Sequence, residues 1–183
     1  EALAAPKDAI HPALARSNGA GVGKVIKRLN QLLEGSRVTP YKLQAAISLR
    51  IIPQVHGAHL DALDQVRSGI EQTISTFSGN PMLVEDDGEG QARLLSVGSF
   101  HNQLLINLIE YLAIATSHAV CLSERRLHRM MDENQTGLNP QLAPRPGLDA
   151  GMVVAHKACI DLVARVRMAA QPLSLMTSET SGG

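Results

Sequence analysis

Tryptophan is absent from this 183-residue sequence, and phenylalanine and tyrosine occur only twice each. Without large rings the core must be filled by Leu, Ile, Val and Ala, a composition that suits closely packed helices. Neither sign of charge is in excess, because Lys+Arg and Asp+Glu both number 17. That balance removes the polyelectrolyte footprint of a nucleic-acid or anionic-membrane binder, and neither partner is expected. Cysteine is limited to Cys121 and Cys159, far apart and without CxxC spacing. This argues against a disulfide framework and for two buried thiols in a reducing, cytoplasmic setting. The opening EALAAPKDAI has neither an initiator Met nor a signal pattern, and the closing TSETSGG is loop-like. Both ends therefore read as cut, as in a fragment of a larger subunit.

What is present is helical periodicity. At 44% hydrophobic residues the chain can bury a core. Val22, Ile26, Leu29, Leu32 and Leu33 recur at helical spacing and predict a short helix over about 22–34, stopped by Gly35. Leu60, Leu63, Val66, Ile70 and Ile74 form a stripe that predicts a long helix over about 57–77. A third pattern covers 101–131, and its middle, LLINLIEYLAIATSHAVCL, is apolar on almost every face. That run is long enough to cross a bilayer. Asn107, Glu110 and His118 within it, and the lack of interfacial Trp, favour instead a helix buried on all sides and used for oligomerisation. A last helix is expected over 149–170 with Asp149 as N-cap. MLV and RLLSV, flanking EDDGEGQ, are the one plausible strand pair. The fold class is mainly α: residues 1–183 read as one long-helix bundle with at most one short hairpin.

Several motifs fail as chemical signatures. NGAGVGKV has Asn18 where a phosphate loop needs Gly and Val25 where it needs Ser or Thr, and no strand precedes it. It reads as a flexible entry to a helix. His56 and His59, three apart with Asp61 beside them, would suit a metal if a helix aimed both rings at one point, but no further ligand pair follows. No metal is expected, and His101, His118 and His128 read as structural. Glu124, Arg125 and Arg126 with His128 and Arg129 form a mainly basic patch that the dipole of a helix C-terminus favours.

Arg50 stands apart. It is the one charge inside LQAAISLRIIPQVHG, a run closed by Pro53 and Gly57. A guanidinium does not deprotonate in a protein, so it needs an anion or several acceptors. The partner is either an acid of the bundle, such as Asp61, Asp64 or Glu110, or the carboxylate of a ligand gripped by the planar fork.

QAAISLRIIPQVHGA, FSGNPM, VGSFHNQ, SERRLHRMMD, GLNPQLAP and PGLDAGMVVAH occur in that order. Together they resemble the C-terminal half of the active-site domain in the aromatic amino acid lyase and aminomutase family, which includes histidine, phenylalanine and tyrosine ammonia-lyases. The resemblance implies a long-helix homotetramer whose active sites each draw on three subunits. It also implies a protein-derived 4-methylideneimidazole-5-one electrophile and an amino acid substrate that loses ammonia to give an unsaturated acid. Arg50 matches the family arginine that grips the substrate carboxylate, Gln44 a nearby polar residue, Asn80 the Asn of the Asn-Pro string and Phe100 the ring close to the electrophile.

The departures carry equal weight. No Ala-Ser-Gly occurs from which the electrophile could be made, and Ile47 stands where the family usually has a proton-transferring Tyr, with Ala45 at a common Asp. Isoleucine cannot act as a base. The chain also stops where the family continues into a further active-site loop. The fragment alone is expected to be inactive, with an aminomutase or a non-catalytic helical assembly module as the other readings.

Overall fold

The computed structural model describes residues 2–16, 18–39, 44–85, 88 and 90–176. After 3-10 turns at Lys7–Ile10 and Pro12–Arg16 come α1 (Ala20–Leu32), the single turn α2 (Ile47–Arg50) and α3 (Ile52–Ile74). β1 (Met82–Val84) and β2 (Arg93–Leu95) pair antiparallel with Met82 opposite Leu95. Then follow α4 (Gln103–Met130), α5 (Glu133–Thr136) and α6 (Val153–Ala169), with 3-10 turns at Pro140–Leu142 and Ser174–Met176. The predicted bundle with one hairpin is what forms.

Local chemistry moves several predicted ends. Pro53 does not close the Arg50 run; it sits in the first turn of α3, where a missing N–H costs nothing and the fixed φ suits a helix. α3 therefore begins five residues before the predicted 57, and Gly57 lies inside it. Asp149 is not the cap of α6: Met152 occupies that position, and the Asp149 carboxylate takes two hydrogen bonds from Arg145 at 2.8 and 2.9 Å.

α3 and α4 run antiparallel, as shown by the contacts of His56 with Arg126, His59 with Thr116 and Gly69 with Leu108. α6 returns antiparallel to α4, joined to it through Glu124 and His156 and through Cys121 and Arg167. α1 lies across the first half of α3 at very short range. A Cβ on Gly57 would meet the backbone of Val22 at 2.5–2.7 Å, and one on Gly21 would collide with the Gly57 carbonyl. The Asp61 carboxylate accepts the Gly21 N–H at 2.7 Å, so α3 caps α1. Within NGAGVG, Gly19 is the N-cap of α1 and Gly21 its point of close crossing with α3, so the motif is a packed helix start and not a flexible entry.

Val22, Ile26, Ala62, Val66, Ala119, Leu122 and Val163 form the buried seam of these helices. The expectation that α4 is buried on all sides fails within this chain, since Leu104, Ile109 and Ile114 are exposed. α4 is long and apolar enough to cross a membrane by length and composition, yet only 11% of its apolar window is buried. The thiols depart from prediction too. Cys121 and Cys159 are free and half-buried, and Cys121 Sγ accepts from Arg167 Nε at 3.2 Å.

Candidate functional site

The single turn α2 buries Ser48, 4% exposed, against the bundle. Residues three apart share a helix face, so Ile47 and Arg50 emerge together, both exposed. Gln44, just before this turn, is exposed as well. Among the described residues the Arg50 side chain has no ion pair and no hydrogen bond. The acids that could have neutralised it are engaged elsewhere. Asp61 caps α1, Asp64 pairs with Lys24 at 2.7 Å, and Glu110 accepts the Ser174 N–H at 2.8 Å and its hydroxyl at 2.7 Å. Those two Ser174 bonds, the backbone one first, hold the Glu110 carboxyl below its ordinary pKa.

Asn80 and Phe100 lie elsewhere. Asn80 Oδ1 accepts the Val97 N–H at 2.8 Å, closing the base of the hairpin, and Phe100, three residues further on, is 62% exposed. This base follows the C-terminus of α3 and precedes the N-terminus of α4, whereas Arg50 precedes the N-terminus of α3. At 1.5 Å per residue, α3 separates the two groups by about 34 Å. The structure brings Asn80 and Phe100 to one end of the helix pair, and Gln44, Ile47 and Arg50 to the other.

The possible His56–His59 metal pair is not assembled. His56 Nε2 faces the Arg126 guanidinium at 3.0 Å, His59 Nδ1 lies 3.4 Å from the Thr116 hydroxyl, and Asp61 is turned to α1. Burial, then the Arg126 charge, then His59 push the His56 pKa down. His56 is therefore the neutral acceptor of this bond. Burial also lowers Arg126, whose Nη1 has no partner among the described residues.

Two links escaped sequence analysis: His56 with Arg126, and Glu124 with His156 at 2.8 Å. Each joins residues on separate helices. The available signal was one-turn spacing within a helix, as in Glu124 and His128, and it says nothing of the residue opposite.

The fold is a helical bundle of the ammonia-lyase type, presenting an unneutralised arginine at one end of its long helix pair and an amide and a ring at the other. The chain belongs to the aromatic amino acid lyase family, whose sequence model, described as "Aromatic amino acid lyase", matches residues 1–183. A histidine ammonia-lyase of a Geobacillus species is 34% identical over 156 residues, 83% of this chain and 30% of that protein. The crystal structure of histidine ammonia-lyase from Trypanosoma cruzi superposes with a TM-score of 0.84 at 27% identity, covering 100% of this chain and 34% of that one. The ergothionase of Treponema denticola, an ergothioneine-degrading enzyme, gives 0.85 at 25% identity, covering 99% and 37%. The chain thus spans about a third of the length of the relatives it matches.

Proposed function

We propose that the full-length protein is an ammonia-lyase acting on histidine or an aromatic amino acid, and that Arg50 binds the substrate carboxylate. The observation that carries this reading is the exposed Arg50 side chain, without a partner among the described residues while Asp61, Asp64 and Glu110 are all engaged. An arginine fork left free in this way supports two parallel N–H···O bonds to a carboxylate, which fix orientation as well as charge. Gln44, exposed just before the same turn, would supply an amide for orientation.

At the hairpin base, the Asn80 carbonyl is occupied by Val97, and its amide N–H groups, without a partner among the described residues, can donate to a ligand. The open face of the Phe100 ring can wall a reacting centre and exclude water. The exposed ring and amide fit a bound electrophile of the 4-methylideneimidazole-5-one type, which would come from residues outside this chain and would supply the electron sink for loss of the amine. Because the Arg50 and Asn80–Phe100 groups are separated by the length of α3, one site uses both only if different copies contribute them. The separation and the exposed apolar faces of α4 support a homotetramer with composite sites. The two free thiols support a reducing, cytoplasmic setting.

A second reading rests on Ile47, 56% exposed on the face that carries Arg50. No base can stand there, which favours an aminomutase outcome or a non-catalytic assembly module. Product analysis of the full-length protein separates the three. Histidine, phenylalanine or tyrosine yields an ultraviolet-absorbing unsaturated acid under the proposal and a β-amino acid under the aminomutase reading. No turnover is the result expected of an assembly module.

A further inference from the structure

Glu124, His128 and His156 place three metal-binding donors together, each ligand atom within 4.8 Å of the others. Glu124 and His128 stand one turn apart on α4, and His156 comes from the first turn of α6. We propose that they bind one divalent metal ion of the zinc class and that this ion staples α4 to α6. The proposal is independent of the reaction the protein catalyses.

The Glu124 carboxylate is 6% exposed. Its Oε1 lies 2.8 Å from His156 Nε2, and its Oε2 lies 3.3 Å from Arg125 Nε. A buried carboxylate satisfied by one histidine and one arginine would need nothing more. His128 nevertheless lays its ring on that of His156, with centroids 5.0 Å apart and planes 18° from parallel. Among the described residues its ring nitrogens make no hydrogen bond. It adds no hydrogen bond to the Glu124–His156 pair. A second imidazole held against a carboxylate–imidazole pair, bonded to neither, is placed to donate to a metal ion that all three share.

The surroundings agree with that purpose. The cluster borders a pocket of about 210 Å³ whose apolar side is Ile160, Val163 and Ala164, leaving room for water to complete a coordination shell. The two guanidinium groups at its rim are engaged: Arg125 on Glu124 Oε2, and Arg167 on Cys121 Sγ. Metal bonds of about 2.0–2.2 Å require donors roughly 3.3 Å apart in a tetrahedral shell. The Glu124–His156 pair must open by about half an ångström and His128 must swing inward by at most about 1.5 Å, a movement its exposed ring can make. Two imidazoles and one carboxylate select Zn²⁺, Co²⁺ or Ni²⁺ over Mg²⁺ or Ca²⁺.

The test is calorimetric titration of tag-free, chelator-treated full-length protein with zinc chloride alone, beside the His128→Ala variant. The expected result is one saturable ion per chain, bound roughly tenfold or more weakly by the variant, whose melting temperature in chelator equals that of the parent. His156→Asn, compared by the same titration, should also lose the ion. Absence of saturable zinc binding, or equal binding by parent and His128→Ala, would overturn the proposal.

Discussion

The two ends of the α3–α4 pair are built from different materials. At the α3 N-terminus the groups are ionic: Arg50 is exposed without a partner among the described residues, Arg126 leans on a neutral His56, and buried Glu124 is held by His156 and Arg125. At the hairpin end, Asn80 ties the loop to Val97, and Phe77, Phe100 and Leu104 are exposed apolar groups. One end can grip a charged group; the other can orient and enclose a neutral one. The proposed reaction on an amino acid would need both, and here they stand at opposite ends of about 34 Å of helix. Under the proposed function, the difference makes a single copy of the chain the carrier of two half-sites.

The sharpest way to break the comparison is at Arg50. Arg50→Ala in the full-length protein should lower kcat/KM by a factor of about a hundred to a thousand, or about 3–4 kcal/mol of transition-state stabilisation. Its melting temperature should stay unchanged, because Arg50 supports nothing in the fold. Arg50→Lys should recover little of the loss, since a point charge cannot make the paired bonds of the fork. Normal steady-state kinetics for Arg50→Ala would remove the ionic end from the site.

Gly57 tests the scaffold of that same end. Gly57→Ala pushes a methyl into the backbone of Val22, which cannot yield as a flexible side chain would. A destabilisation of about 2–3 kcal/mol is expected in urea unfolding. An unchanged midpoint would mean that α1 and α3 do not meet there.

The smallest effect is that of pH on His56. Its folded pKa is depressed below the unfolded value, so the folded state resists protonation. The stability it contributes is fully present above the unfolded pKa, about 6.5, and is lost as pH falls through the folded value. Urea midpoints measured from pH 8 to pH 5 should fall on the acidic side, and His56→Gln should flatten that fall. Parallel curves for the two proteins would show that His56 does not titrate against Arg126.

Much of this architecture was legible because helical periodicity and turn residues act locally. The stripes at Leu60–Ile74 and the turn-rich EDDGEGQ marked a helix and a hairpin that both form. Pro53 misled because proline both stops helices and begins them, and only the residues after it decide which. Glycines 21 and 57 gave no sign of meeting, since their closeness depends on a crossing that no single segment encodes. The apolar middle of α4 predicted burial, yet much of it is exposed in this chain, because composition records the need for cover without naming what provides it. For the candidate site, the identity of Arg50 was readable and its freedom was not. That depended on where Asp61, Asp64 and Glu110 turn in three dimensions.

The central claim is that one site joins half-sites from different copies. Co-expressing full-length Arg50→Ala with full-length Phe100→Ala, each nearly inactive alone, tests it directly. Random mixing in a symmetric oligomer gives about a quarter of the sites both native residues, so activity should return toward about a quarter of the parent's. Activity no higher than that of the separate variants would contradict the claim that one site joins the two residues from different copies.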